Sequence, residues 1–160
     1  MQARHVPSVL FICTANICRS PMAVALFRER LKQMRPDWKE WRVESAGTWA
    51  FEGEMASAYS QQVMAEKGLD ISRHRSRQVT GEMLQDFNLI LTMEVGQKEA
   101  LQVEFPTLAR RVFLLSEMAG RVEAVEDPYG SSIADYQEAA KQMDAILEKG
   151  MLRIIGLVAG

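Results

Sequence analysis

The pattern of apolar and polar residues along the chain predicts short strands that alternate with helices. Residues 9–12 and 88–92 form apolar runs that are too short for typical helices and suit strands buried on both faces. Residues 41–45 and 111–115 predict further strands. The spacing of apolar positions predicts helices over residues 20–34, 55–67, 80–85, 94–103 and 133–158.

Capping residues and glycines predict where several of these helices begin and end. Ser20 is expected to be the N-cap of the first helix, with Pro21 as its first helical residue. Gly68 is expected at the C′ position that closes the second helix. Gly150 lies inside the last predicted helix and indicates a bend or a break there.

The order of these elements predicts an α/β fold. Strands that alternate with helices, without internal repeats or low-complexity linkers, favour a single-domain four-stranded parallel sheet with helices on both faces. The length of 160 residues suits one domain that spans residues 1–160. In such folds the active site lies at the carboxyl ends of the strands, and the first predicted strand leads directly to Cys13.

A polar loop follows the first strand and leads into the first helix. The backbone N–H groups of such a loop and the dipole of the helix attract a small anion, so we expect a phosphate-binding loop here. The loop contains no glycine and offers Cys13 and Arg19, which bracket five residues. The predicted phosphate-binding residues are Thr14, Ala15, Asn16, Ile17, Cys18, Arg19 and Ser20.

Cys13 and Arg19 predict nucleophilic chemistry on phosphorus. A ring of N–H donors beside a guanidinium stabilises a thiolate, and the thiolate of Cys13 can then attack phosphorus directly. Arg19 can hold two non-bridging oxygens and stabilise their charge in the transition state. Ser20 is expected to donate a hydrogen bond to the sulfur, and Asn16 tolerates the left-handed conformation that a tight loop requires.

Other segments offer further candidate site residues. Asp127 begins the sequence Asp-Pro-Tyr-Gly between the fourth strand and the last helix, a pattern that is also common in plain turns. Beside a phosphate-binding cysteine, its carboxyl group could protonate the leaving group and then activate water. Trp49 and Phe51 lie in a glycine-flanked loop and predict either an aromatic wall of the cleft or a satellite hydrophobic cluster.

Composition and charge exclude several classes of function. A net charge of −2 gives no basic field for nucleic acid or an anionic membrane. No segment approaches the roughly 20 apolar residues of a membrane span, and residues 1–7 carry no signal-peptide core, so we expect a cytoplasmic protein. Both cysteines lie in the loop, which fits a reducing compartment. The spacing of Cys13, Cys18, His5 and His74 disfavours a zinc site, and no metal or cofactor is expected.

The segment VLFICTANICRSP resembles the low-molecular-weight protein tyrosine phosphatases, whose signature is C-x-x-N-x-C-R-S-P near the N-terminus. The resemblance continues through SAGTW, HRSRQ and LILTM to DPY. The roles that it implies are catalysis by Cys13, Arg19 and Asp127, support of the loop asparagine by Ser45 and His74, and a substrate pocket at Trp49 and Tyr129. The chain departs from the family at Ala15, where glycine is common, and at Gly130, where a second tyrosine is frequent.

The resemblance implies hydrolysis of phosphotyrosine in proteins through a phosphocysteine at Cys13, without a metal. Tyrosine-phosphorylated proteins and an opposing tyrosine kinase are the expected partners of a monomer or weak dimer that binds neither nucleic acid nor membrane. Alternatives stay open at this point. Arsenate reduction on the same fold needs cysteines outside the loop, and phosphoarginine hydrolysis is associated in relatives with threonine where Ile17 stands. A non-catalytic phosphoprotein-binding module is expected to lose Cys13, Arg19 or Asp127, and all are present.

Cys18 is not required by this chemistry. One interpretation is a small buried residue at the start of the helix. The other is a second thiol that traps oxidised Cys13 as a disulfide, which predicts a redox-sensitive enzyme.

Overall fold

The computed structural model describes residues 6–159. Its strands are β1 Ser8–Cys13, β2 Arg42–Gly47, β3 Leu89–Thr92 and β4 Val112–Leu114. Its α-helices are α1 Arg19–Met34, α2 Ala58–Glu66, α3 Gly81–Gln85, α4 Val95–Glu104 and α5 Ile133–Ala159. Short 3-10 helices cover Trp38–Glu40, Pro106–Arg111 and Leu115–Ala119.

The four strands form one parallel sheet in the order β2-β1-β3-β4. The pair Cys13 and Gly47 ends the β1–β2 register, and Ile12 lies opposite Thr92 of β3. The carboxyl ends of these three strands therefore meet at one edge of the sheet, where parallel α/β folds place their sites. The predicted fold class and its four-stranded parallel sheet are confirmed.

Helices cover both faces of the sheet and bury the central strand β1 on both sides. Phe11 belongs to the core beneath α1 and α5 and contacts Phe27, with the ring centroids 5.6 Å apart. Leu10 and Ile12 belong to the opposite core, together with Phe87 and other residues around α3 and α4. Successive strand residues point to opposite faces, so a continuous apolar run serves both cores.

Two predicted helix starts are wrong. α1 begins at Arg19 with Cys18 as its N-cap, and no side chain of the described residues caps its first turn. Ser20 is instead inside the helix and buried, because its hydroxyl group is engaged with the preceding loop. α2 begins at Ala58 rather than at residue 55, because the Ser57 side chain accepts a hydrogen bond from the N–H of Ser60 and so caps the helix there.

The structure confirms the role predicted for Gly68 but not the break predicted at Gly150. Gly68 follows the C-cap of α2 with φ of 75°, as predicted for a C′ glycine. The predicted break at Gly150 does not occur, since α5 runs without interruption from Ile133 to Ala159. A Cβ atom at Gly150 would lie 2.8 Å from Cβ of Met118, so the glycine permits close packing of α5 against Leu115–Ala119. Within residues 6–159, no helix has the length and apolar character to cross a bilayer.

Candidate active site

Residues 14–18 connect the carboxyl end of β1 to the start of α1 and form the loop that the sequence singled out. In the described part of the chain, the backbone N–H groups of these five residues donate to no other protein group. The first N–H groups of α1 are also unpaired within the helix by geometry. A small tetrahedral anion satisfies such a set of donors, and the helix dipole adds to the attraction.

Asn16 fixes the shape of this loop. Its φ of 61° is the left-handed conformation, which Asn adopts more readily than most residues. Its side-chain amide donates to Oγ of Ser20 at 2.8 Å and to Oγ of Ser45 at 2.9 Å. Its Oδ1 accepts from the N–H of Arg77 at 3.0 Å, and this backbone donor defines which end of the amide is oxygen. Nε2 of His74 donates to the Asn16 carbonyl oxygen at 2.6 Å.

His74 is held as a neutral imidazole by its surroundings. Burial lowers the pKa of His74, and the charges of Arg75 and Arg77 act in the same direction, while the hydrogen bond to Asn16 opposes them. With its proton on Nε2, the neutral ring can make the observed bond to the loop carbonyl. His74 therefore contacts the loop backbone rather than the space in which an anion would bind.

Cys13 and Ser20 face each other across the loop. Sγ of Cys13 is 3.0 Å from Oγ of Ser20, and both residues are buried. The amide of Asn16 already donates to Oγ of Ser20, which leaves the hydroxyl hydrogen of Ser20 free for the sulfur. A hydroxyl that donates to sulfur stabilises the thiolate relative to the thiol.

Arg19 is the largest fully buried polar side chain of the described residues, with 1% of its surface exposed. Its Nη1 donates to the Val125 carbonyl oxygen at 2.8 Å and lies 3.1 Å from Oε1 of Glu94. Within residues 6–159, its Nε has no hydrogen-bond partner. A buried N–H without a partner is costly, so this donor marks a place where a ligand oxygen would be stabilised.

Asp127 approaches the same guanidinium from the loop after β4. Its Oδ2 is 3.8 Å from Nη2 of Arg19, and its side chain is 45% exposed. Its Oδ1 accepts from the N–H of Tyr129 at 3.0 Å, a turn within Asp-Pro-Tyr-Gly. The segment thus forms a turn and also brings a solvent-accessible carboxylate to the loop of residues 14–18 and its arginine.

The aromatic candidates have exposed side chains. Trp49 is 82% exposed and Tyr129 is 68% exposed. The N–H of Trp49 donates to the Thr14 carbonyl oxygen at 3.0 Å, so its backbone lies against the loop. Phe51 is also exposed, and neither it nor Trp49 packs in a satellite hydrophobic cluster.

Several residues near the loop were missed by sequence reasoning. Gly47 is required at the end of β2, because a Cβ atom there would lie 2.4 Å from the Thr14 carbonyl oxygen. Gln97 of α4 donates from Nε2 to Oγ1 of Thr14 at 3.0 Å, and its Oε1 accepts from the N–H of Glu94. Glu94 is the second residue after β3, a strand that pairs with β1. Its position at the carboxyl end of that strand was the signal that could have revealed it.

Cys18 points to a buried polar group formed with Ser57 and Tyr136. Its Sγ lies 3.4 Å from the Tyr136 hydroxyl oxygen and 3.6 Å from Oγ of Ser57. Burial raises the pKa of the Cys18 thiol, and burial together with the bond to Cys18 raises the pKa of Tyr136 to about 12. Both cysteines are free thiols.

Metal ligands are not grouped around the loop. Within residues 6–159, no three or more His, Cys, Asp or Glu side chains are arranged to hold a metal ion. His5, a member of the disfavoured zinc set, lies outside the described residues.

The fold and site together define a class of protein: an α/β protein with a cysteine, an unpartnered buried arginine donor and a carboxylate around an anion-binding loop. Residues 8–154 match the family model described as low molecular weight phosphotyrosine protein phosphatase, and the chain belongs to this family.

Individual relatives match over nearly the whole chain. The probable low molecular weight protein-tyrosine-phosphatase EpsP of Ralstonia nicotianae is 36% identical over 95% of this chain and 99% of its own length. A protein-arginine-phosphatase of Geobacillus stearothermophilus is 34% identical over 88% of this chain and 91% of its own length. The structure of a low molecular weight protein tyrosine phosphatase from T. tengcongensis is similar, with a TM-score of 0.84 and 35% identity, over 91% of this chain and 98% of that one.

Proposed function

We propose that this protein hydrolyses phosphotyrosine in proteins through a phosphocysteine at Cys13. The observation that carries the proposal is the convergence of Cys13, Ser20, Arg19 and Asp127 on one loop whose N–H donors have no protein partner. The unpartnered Nε of Arg19 supports a role in holding a phosphate oxygen. The exposed side chains of Trp49 and Tyr129 are the proposed contacts for the phosphorylated aromatic ring.

In the first step, the thiolate of Cys13 attacks phosphorus while the bond from phosphorus to the tyrosine oxygen breaks. Asp127 gives its proton to that oxygen, and Arg19 and the loop N–H groups stabilise the negative charge on the transferred phosphoryl group. In the second step, Asp127 takes a proton from water, which attacks phosphorus and breaks the sulfur–phosphorus bond. The Ser20 hydroxyl stabilises the departing thiolate, and phosphate is released.

The test is turnover of p-nitrophenyl phosphate by wild type and Cys13→Ser. We expect turnover to fall by several orders of magnitude in the variant, because an alcohol without a general base is a weak nucleophile. Its thermal unfolding and its binding of inorganic phosphate should stay close to those of wild type. Appreciable residual turnover in Cys13→Ser would contradict the role of Cys13.

Phosphoarginine hydrolysis is the second candidate, since a relative named as a protein-arginine-phosphatase is 34% identical. Ile17 favours phosphotyrosine, because threonine at this position is associated with the arginine-specific relatives. We expect kcat/KM to be higher for a phosphotyrosine peptide than for the matched phosphoarginine peptide. Ile17→Thr should move the ratio toward phosphoarginine, and a preference of the wild type for phosphoarginine would overturn the proposal.

The other assignments follow from this function. Catalysis by Cys13, Arg19 and Asp127 has no step for a metal, so turnover should be insensitive to a chelator. We propose that residues 1–160 act as one phosphatase domain, in the cytoplasm, on tyrosine-phosphorylated proteins whose kinase the enzyme opposes. We further propose a monomer or weak dimer, which sedimentation at increasing concentration would test.

A further inference from the structure

A cavity of about 570 Å³ lies behind the phosphate loop. It is bounded by α1, by the edge strand β2 and by residues 69–77. Cys13, Arg19 and Asp127 do not line it, so it is distinct from the proposed catalytic site. Its volume lies within the range of roughly 300–1,000 Å³ that is usual for small-molecule sites.

The cavity shares residues with the support of Asn16. Ser45, His74 and Arg77 all line it. The same residues make three of the four hydrogen bonds to Asn16 described above, at 2.9, 2.6 and 3.0 Å, and only the bond to Ser20 lies elsewhere. A molecule in the cavity would therefore contact the groups that hold the strained residue of the phosphate loop.

The charge of the lining favours an anion. Its basic side chains outnumber its acidic ones five to three, in a chain whose net charge is −2. The basic side chains are Arg28, Lys32, Arg73, Arg75 and Arg77. Glu44, one of the acidic residues, is paired with Arg77 of the lining and with Arg42 outside it, so the remaining lining charges are four basic and two acidic. Arg73 is exposed and makes no hydrogen bond or ion pair within residues 6–159, although the charge of Asp70 in the same lining attracts it. Its guanidinium N–H groups are therefore available to a ligand.

The remaining wall is apolar. Ala25, Leu69 and Ile71 line it together with Trp38, whose ring is half-buried. Aromatic and aliphatic side chains beside a guanidinium suit a ligand with a flat apolar body and one acidic group.

We propose that this cavity binds a small organic anion with a planar apolar body and that the bound anion changes turnover by acting on the support of Asn16. An anion draws the guanidinium of Arg77 away from the Ser45 carbonyl oxygen and from Glu44. The N–H of Arg77 that holds Oδ1 of Asn16 belongs to the same residue, so the loop loosens and kcat falls. Binding of the anion in the cavity does not depend on the proposed function, whereas its effect on kcat rests on that function.

The first test measures binding of 8-anilinonaphthalene-1-sulfonate by fluorescence, with inorganic phosphate saturating the catalytic loop. Ala25→Phe fills the cavity from α1 and should abolish the binding. Ala100→Phe adds the same ring to an exposed position on α4, away from the cavity, and should bind as wild type does. Displacement of the probe by phosphate, or equal binding by both variants, would overturn the proposal.

The second test reverses one charge. Arg73→Glu should weaken binding of the sulfonate by about tenfold or more, because an attractive charge becomes a repulsive one. Arg110→Glu makes the same change at an exposed arginine outside the cavity and should leave the affinity unaltered. Equal affinities of wild type and Arg73→Glu would contradict an anion site here.

The third test is kinetic. With p-nitrophenyl phosphate as substrate, the sulfonate should lower kcat severalfold without a proportional rise in KM, and Ala25→Phe should be insensitive to it. A rise in KM alone would mean competition at Cys13, and binding without any change in kcat would overturn the coupling to Asn16. Repeating the binding measurements with Cys13→Ser, which needs no turnover, separates failure of this proposal from failure of the proposed function.

Discussion

Asn16 explains how a phosphate loop can form a tight curve without a glycine. A left-handed conformation costs an ordinary residue about 1–2 kcal/mol, a cost that glycine would avoid. Glycine, however, has no side chain to donate to Ser20 and Ser45 or to accept from Arg77. Asparagine therefore has a higher conformational energy here than glycine would, but its side chain orients the hydroxyl group that faces Cys13.

Asp127 offers a residue-scale prediction. Asp127→Ala should lower turnover by about 10²–10⁴-fold for esters with poor leaving groups and much less for those whose leaving groups need no proton. A series of aryl phosphates with leaving groups of different pKa measures the effect. Asp135→Ala changes an exposed aspartate in the first turn of α5 and serves as the control. Equal losses across the series would indicate a structural role for Asp127.

The partners of Cys18 bear on its proposed redox role. Its raised pKa makes Cys18 a poor target for peroxide, so oxidation is expected first at Cys13. The sulfenic acid formed there by hydrogen peroxide can condense with the Cys18 thiol to give a disulfide and water. We predict that peroxide inactivates the enzyme, that dithiothreitol restores it, and that phosphate protects it.

The control for this redox prediction is Cys18→Ser. The variant should turn over substrate but recover poorly after peroxide, because no second thiol traps the sulfenic acid. Intact-mass measurement of oxidised wild type should show the loss of two hydrogens that a disulfide produces. Equal recovery of the two proteins would leave Cys18 with only its packing against Tyr136 and Ser57.

At the scale of elements, the helix starts differ in a way that suits the site. The side chains of Ser57 and Thr80 cap α2 and α3 by accepting hydrogen bonds from the backbone. No side chain caps α1, whose N-cap is Cys18. The first N–H groups of α1 are therefore left for an anion, whereas a side-chain cap satisfies one such group in each of α2 and α3.

Helix α5 provides an element-scale prediction on two glycines. Gly150→Ala should lower the free energy of unfolding by about 1–3 kcal/mol, because the new Cβ atom meets Met118 at 2.8 Å. Gly156→Ala lies in the same helix with no atom within 4 Å of its Cβ position and should raise stability by up to about 1 kcal/mol. Urea denaturation measures both changes. Stabilisation by Gly150→Ala would contradict the tight contact.

At the scale of the whole molecule, the sheet order assembles the site. β1 lies between β2 and β3, so the residues that follow all three strands gather around one loop. Gly47 ends β2, Glu94 follows β3, and Asp127 reaches Arg19 from the segment after β4. No single segment contains the site, which depends on the fold being complete.

The half-buried His74 links the stability of the whole molecule to pH. Burial lowers the pKa of His74 in the folded state, so between that value and about 6.5 the unfolded chain binds more protons. The free energy of unfolding should therefore fall as the pH drops below about 6.5 and should keep this contribution in full above that value. Urea denaturation across this range measures it.

The matched variant for this linkage is His74→Gln, which removes the titrating group and keeps a donor near the Asn16 carbonyl oxygen. The difference in stability between wild type and variant should shrink as the pH falls, while contributions of carboxylates and of His5 cancel. A difference that does not change with pH would contradict the lowered pKa.

The sequence by itself determined the strands, the helices and the anion-binding loop, because periodic burial and a strand-to-helix junction leave local patterns. It also singled out Cys13 and Arg19, which share the loop, and Asp127, which a turn motif and a family resemblance marked. Only the tertiary structure decided that Cys18 occupies the N-cap position of α1, that Gly150 packs on Met118, and that Glu94 and Gln97 join the site. The cavity beside Asn16 belongs to this second group. These features depend on distances between residues far apart in the chain, and such distances exist only once the parallel sheet has set which strand ends are neighbours.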